Sequence, residues 1–209
     1  MEVWRRPPVA SAGNTPERTT QLLPGDPPAE VVAARPGSYL VRAPGNAVGW
    51  VARDGNFRLG PPRMDVGTAP TDVLREEGSW DPDHVIESAL SQLGRPYVWG
   101  GTGAVGVDCS GLIWRAFLSS GILLPKNSRA QRKVGRRVPR SELRRADLVA
   151  AVSRGPRRTS HVALALSPEE VIHACSERMA VRRESLADFE ERYRLLTIRR
   201  IAGATSPDR

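Results

Sequence analysis

Tyr97-Val-Trp-Gly-Gly-Thr-Gly-Ala-Val-Gly-Val-Asp108-Cys109-Ser110-Gly111, running straight into Leu112-Ile-Trp-Arg-Ala-Phe-Leu-Ser-Ser-Gly121, decides how this chain is read. Four glycines lead to a single cysteine at the start of a predicted helix. Leu112, Ile113, Ala116 and Phe117 recur at helical spacing, and Gly121 marks the stop. Asp108 falls where an N-cap belongs. A thiol at a helix N-terminus faces unpaired backbone N–H groups and the positive end of the helix dipole, and both favour the thiolate. Cys109 is thus a candidate nucleophile. The competing reading makes it a small buried hydrophobe, with Asp108 no more than a cap.

Outward from this stretch, composition sets limits. The 209 residues are 40% hydrophobic and 26% charged, which is ordinary for a globular protein and allows one large domain or two modest ones. The net charge of +8 comes almost wholly from arginine, because Lys126 and Lys133 are the only lysines. Such a surplus can attract a polyanion, though it more often forms a solvated surface. No apolar run is long enough to cross a bilayer, so no membrane partner is expected. The start, Met-Glu-Val-Trp-Arg-Arg-Pro-Pro, lacks the apolar core of a signal peptide. As written, the sequence predicts a cytoplasmic protein; a secreted one trimmed of its leader would read the same. Two cysteines make no disulfide framework, and a Cys109–Cys175 bridge would consume the candidate nucleophile. No cofactor and no metal are expected.

Residues 1–62 read as short strands broken by turns, which predicts a small β-barrel. Thr19-Thr-Gln-Leu-Leu, Val31-Val-Ala-Ala, Ser38-Tyr-Leu-Val-Arg and Val48-Gly-Trp-Val-Ala are the strands. Residues 63–82 form a Pro/Gly-interrupted linker. Asp81-Pro-Asp-His then opens a helix with an apolar stripe at Val85, Ile86, Ala89, Leu90 and Leu93, ended by Gly94 and Pro96. His84, at the start of that helix, reads as a surface residue. Lys126 to Arg145 is basic, with only Glu142 opposing it. It lacks the aromatic platforms that nucleic-acid binding needs, so it reads as a loop with a short turn at Ser141-Glu-Leu-Arg. Asp147-Leu-Val-Ala-Ala-Val, Ser160–Leu166 and Val171–Cys175 read as buried strands, and residues 204–209 as a tail.

A cysteine nucleophile needs a base for its proton and a third group to orient that base. His161, in Ser-His-Val-Ala-Leu-Ala-Leu, and His173, in Val-Ile-His-Ala-Cys, lie in the two strands after Cys109. A three-residue loop, Ser167 to Glu169, sets Cys175 opposite His161 and Ala163 opposite His173, with both histidines on one face, expected to be the face toward the helix. A two- or four-residue loop turns them to opposite faces unless a bulge intervenes. The sequence permits the site without enforcing it.

Over residues 83–203 the chain resembles the NlpC family of bacterial cell-wall cysteine peptidases. The resemblance lies in Tyr97, Trp99-Gly100-Gly101, Asp108-Cys109-Ser110-Gly111, Leu124-Pro-Lys-Asn-Ser-Arg-Ala-Gln131, Ser160-His161-Val162 and Ile172-His173-Ala174. One element departs: where the family has Pro-Gly-Asp-Leu, this chain has Arg145-Ala146-Asp147-Leu148. Val3-Trp4, Thr20-Gln-Leu-Leu-Pro-Gly and Gly49-Trp50-Val51 resemble a bacterial SH3-like domain.

The resemblance implies an α+β, papain-like fold in which a helix carrying the cysteine packs on an antiparallel sheet, preceded by the SH3-like barrel. It implies Cys109 as nucleophile, His161 as base and His173 as its orienting partner. Tyr97 would steady the oxyanion, and Asp108 and Ser110 would line the amine end of the substrate. Core packing is the competing role for Tyr97 and the expected one for Trp99. The implied substrate is a murein peptide, cut between γ-D-glutamate and a diamino acid, with a free N-terminal L-Ala. An amidase or acyltransferase on the same Cys-His scaffold, or a polyanion- or wall-binding module, are the alternatives. Neither a nucleic acid nor a particular oligomeric state is implied.

Overall fold

Two antiparallel sheets organise the chain in this computed structural model, which describes residues 2–4, 18–23, 26–45, 47–52, 74–75, 79–103, 105–156 and 158–203. The first sheet holds β1 (Glu2–Trp4), β2 (Arg18–Gln21), β3 (Glu30–Arg35), β4 (Ser38–Ala43) and β5 (Ala47–Ala52), in the order β2-β1-β5-β4-β3. The four strands expected here are present. Gly37 and Gly45, at φ +75° and +77°, make the two hairpin turns that only glycine enters freely. Val3, Tyr39, Val41, Ala43, Ala47 and Val51 form its small core. Among the described residues β2 and β3 are the outermost strands of this sheet. Most of the expected linker lies outside the described residues, as does the expected tail, 204–209.

The helix expected after Asp81 is α1 (Pro82–Leu90), and the Asp81 side chain accepts the Asp83 N–H at 2.9 Å. Its stripe is shorter than the sequence suggested. Val85, Ile86 and Ala89 are buried, but Leu93 is exposed. The helix stops at Leu90, and the turn into Gly94 at φ +74° swings Leu93 off the apolar face. Next comes α2 (Cys109–Leu118), and Gly121 ends it at φ +73° as expected.

The second sheet is built from β8 (Arg136–Val138), β9 (Leu148–Ser153), β10 (Ser160–Ala165), β11 (Glu170–Cys175), β12 (Ala180–Ser185) and β13 (Tyr193–Arg200), in the order β12-β11-β10-β9-β13-β8. A minor ladder joins β6 (Leu74–Arg75) to β7 (Ile122–Leu123). Strand alternation splits the large sheet into two faces. Leu148, Val162, Leu164, Ile172 and Ala174 pack against α1 and α2. Val149, Ala151, Ala163, Ala165 and Val171 pack against α4 (Leu186–Arg192), through Leu186 and Phe189.

The basic segment is more ordered than a loop. It forms α3 (Ser128–Gln131), then β8, then a short 3-10 turn over Arg140–Glu142. Two arginines hide the edge strand from an apolar-pattern reading. Arg199 organises the preceding turn by donating to the carbonyls of Lys133, Val134 and Gly135.

At the departure from the family pattern, Ala146 sits at φ +64°, the left-handed region, in the place of the family's glycine. The backbone there takes a left-handed conformation without the residue that adopts it cheaply. Asp147 beyond it is buried and paired with Arg200 through two contacts of 2.7 and 2.6 Å.

Candidate active site

Cys109 is the first residue of α2, and the reason is local. Asp108 caps the helix: its Oδ1 accepts the Gly111 N–H at 2.6 Å and the Ser110 Oγ–H at 3.0 Å. Its Oδ2 accepts the Gly100 N–H at 2.8 Å, tying the cap to the glycine-rich loop. Gly111 is required by close approach, because a Cβ there would lie 2.0 Å from the Gly101 carbonyl oxygen. Gln131, fully buried, donates to the Ser110 carbonyl at 3.0 Å and the Pro125 carbonyl at 2.8 Å, pinning the first turn from the other side.

Cys109 is buried, a free thiol at rest. Burial pushes its pKa up to about 12, with the Asp108 carboxylate adding to the rise. The N–H groups of Val162, Ser110 and Cys109 itself pull the other way without winning. The helix N-terminus favours the thiolate, as expected, but desolvation is the larger effect.

The register of β10 and β11 is the one that a three-residue loop sets: Leu164 faces Ile172 and Ala165 faces Val171. The two histidines therefore share a face, but not the expected one. Both lie on the α4 side, where His161 stacks on Tyr193 with centroids 4.3 Å apart and His173 meets the edge of Phe189. Alternation explains this, since Val162 and Leu164 already occupy the α2 face. The β10–β11 ladder ends short of His161, and there the Val162 N–H turns to the Cys109 sulfur. Cys109 is thereby bonded to the backbone of the residue that follows His161.

His161 Nε2 lies 2.8 Å from His173 Nδ1, so Nδ1 of His161 is the nitrogen left to take a proton. Burial, then the neighbouring His173 and Arg192, holds the pKa of His161 well below the usual imidazole value. Tyr97 is half-buried, and burial first, then the neighbouring Cys109 and Asp108, raise its pKa. Trp99 is 54% exposed and does not pack in the core as expected.

The sequence reading missed three residues behind the histidines: Glu184 on β12, Arg192 on α4 and Tyr193 on β13. His173 Nε2 lies 2.9 Å from Glu184 Oε1, and Glu184 Oε2 is engaged by Arg192 Nη2. Val181-Arg-Arg-Glu-Ser has a single apolar residue among polar ones, so no periodic signal marked this strand or its partner. Cys175 hydrogen-bonds the Tyr193 side chain. Among the described residues no group of three or more His, Cys, Asp or Glu is placed to hold a metal ion.

A helix presenting a cysteine to an antiparallel sheet that carries paired histidines defines an α+β, papain-like protein. A solved NlpC/P60 family protein from Bacillus cereus superimposes with a TM-score of 0.53 at 25% identity, covering 82% of this chain and 53% of that one. Residues 94–200 match the NlpC/P60 family, just over half of the chain, and the chain belongs to that family. It is 34% identical over 129 residues to peptidoglycan endopeptidase RipA of Mycobacterium tuberculosis, a match covering 56% of this chain and 27% of the relative. It is 31% identical over 139 residues to a gamma-D-glutamyl-L-lysine dipeptidyl-peptidase of Bacillus cereus, covering 66% and 38%. The matched segment therefore spans well under half of each of these two relatives.

Proposed function

We propose that this chain is a cysteine peptidase of peptidoglycan peptides, cutting the bond between γ-D-glutamate and a diamino acid. The observation that carries the reading is that Cys109, capped by Asp108 at the start of α2, accepts the N–H of Val162, the residue next to His161, which is paired with His173. The names of the relatives support the substrate class, and the dipeptidyl-peptidase supports the bond.

In this reading His161 Nδ1 takes the Cys109 proton as the sulfur attacks the scissile carbonyl. Charge moves to the carbonyl oxygen, where the Tyr97 hydroxyl and the Cys109 N–H donate to it. The intermediate collapses as His161 returns the proton to the leaving amine, and a thioester on Cys109 remains. Water, deprotonated by the same imidazole, then releases the acid and restores the thiol.

Asp108 and Ser110 read the free N-terminal ammonium of the substrate. Asp108 accepts the N–H groups of Gly111, Gly100 and Ser110 and the Ser110 Oγ–H, which take up the roughly four acceptor sites of a carboxylate, so the ammonium is read by charge and by sharing an oxygen already in use. Burial raises its pKa. An arriving ammonium compensates the ionised form and fixes the register of the scissile bond. The N-terminal sheet, taken as an SH3-like module, closes one end of the cleft. Its Gln21 carbonyl accepts from Thr102 Oγ1 at 3.3 Å and from Lys126 Nζ at 2.8 Å, which sets it against the glycine-rich loop.

The test keeps the enzyme wild-type and changes the peptide. L-Ala-γ-D-Glu-diamino acid is compared with its N-acetylated form. A higher KM and a lower kcat for the acetylated peptide are expected. Equal kcat/KM would leave Asp108 as a cap and reopen the choice of substrate.

A further inference from the structure

His173 is fully buried, and each of its ring nitrogens faces a different group. Nδ1 meets His161 Nε2 at 2.8 Å, and Nε2 meets Glu184 Oε1 at 2.9 Å. The second contact is short in distance but off the ideal hydrogen-bond angle, and neither of its atoms has another hydrogen-bond partner. The Glu184 side chain is only 4% exposed, and its other oxygen is held by Arg192. Arg182, on the same strand, lies 3.8 Å from that oxygen, and Glu177 lies 3.8 Å from Arg192. Burial raises the Glu184 pKa, but the contacts with His173 and Arg192 outweigh it and hold the group ionised at neutral pH.

An ionised carboxylate only accepts hydrogen bonds. The His173 nitrogen facing it must therefore carry the proton, or two buried lone pairs would be set against each other. With a neutral ring, which has one N–H, His173 Nδ1 is then an acceptor; an imidazolium would donate from both nitrogens, and the ring-nitrogen shifts in the test tell the two apart. His161 Nε2, which faces that acceptor, must be the protonated nitrogen of its own ring. This leaves His161 Nδ1 as a lone pair.

We infer that Glu184 is a positioning residue that dictates the tautomers of both histidines, and so keeps the basic nitrogen of His161 at Nδ1. The inference rests on the cysteine-peptidase reading for its use, but not for its geometry. Without the carboxylate, His173 can place its proton on Nδ1. His161 Nε2 would then have to accept, and its proton would move to Nδ1, the nitrogen that must take the thiol's proton. The basic nitrogen would then be lost from the position facing the thiol.

The test is nitrogen-15 NMR of the full chain with labelled histidine rings, recorded near pH 7.5 without substrate. His84, whose ring is hydrogen-bonded to the Ser119 carbonyl at 3.2 Å and is exposed, serves as the reference. For wild type, His161 and His173 should both show a protonated Nε2 and an unprotonated Nδ1. In Glu184→Gln, whose amide can donate or accept, the single tautomer should give way to a mixture. In the same variant kcat should fall by roughly tenfold or more, within the range that positioned proton transfer contributes, while KM holds. A proton on Nδ1 of either histidine in the wild type would overturn the inference without any variant. So would a Glu184→Gln protein with unchanged tautomers and unchanged kcat. A chain with the expected tautomers that cleaved no peptidoglycan peptide would sink the peptidase reading and leave the role of Glu184 standing.

Discussion

The resting state of Cys109 is the point at which single residues decide the chemistry. Its pKa is pushed up to about 12 by burial and Asp108, while burial pushes His161 well below 6.5. Both shifts favour a neutral thiol beside a neutral imidazole over a preformed ion pair. Alkylation of Cys109 by iodoacetamide should accordingly speed up about tenfold per pH unit from pH 7 to 9, because only the thiolate reacts. A rate that is fast and flat between pH 5 and 8 would show a preformed ion pair instead. The acid limb of kcat/KM follows the other shift: His161 must be neutral to act, so activity should persist below pH 6.5 before it is lost. An acid limb centred at or above pH 7 would contradict the burial of His161. Cys175 is equally buried but faces Tyr193, so Cys175→Ala should keep most of the activity.

Helix α2 and the turn before β9 show how whole elements bear on the site. Gly111→Ala would drive a Cβ into the Gly101 carbonyl, so the first turn must move. A stability loss of roughly 1–3 kcal/mol and a large fall in kcat are expected, read by urea denaturation and turnover. Native stability and rate in that variant would mean that the loop yields freely. At Ala146 the sign reverses. Left-handed alanine costs about 1–2 kcal/mol, and glycine gives back part of that as unfolded-chain entropy. Ala146→Gly should raise stability by up to about 1 kcal/mol, and a lower urea midpoint would contradict the strain. The same two elements show what was legible. The cap, the cysteine and the helix stop were readable because each is a local pattern at fixed spacing. The face to which the histidines turn was not, since it depends on how β10 sits against α2. Glu184 was hidden further still: it meets His173 only through the β11–β12 register, in which Val171 faces Glu184 and His173 faces Arg182.

Across the whole molecule, the N-terminal sheet touches the papain-like part through groups that do not look paired in sequence. Arg115 of α2 bonds Asp26 at 2.7 Å and the Thr102 carbonyl at 2.9 Å. Lys126 lies 3.7 Å over the Trp114 ring and donates to Gln21. Burial, the largest cause, lowers its pKa to about 8. The Asp26 side chain is 2% exposed, so Asp26→Ala leaves Arg115 partly buried without its partner. A loss of roughly 3 kcal/mol is expected, as for breaking a buried pair, with the N-terminal sheet becoming more open to proteolysis. Unchanged stability would mean that the sheet is only tethered to the site. The strands of this part were readable from their turns, whereas its docking was not, because Asp26 and Arg115 are far apart in the chain. The claim that joins all three scales is that Cys109 hydrolyses peptidoglycan peptides. It is tested most directly by mass spectrometry of the products from L-Ala-γ-D-Glu-diamino acid. Wild type should release L-Ala-γ-D-Glu and the free diamino acid, and Cys109→Ala should release neither. An intact peptide with the wild-type protein, or equal turnover by Cys109→Ala, would contradict the account.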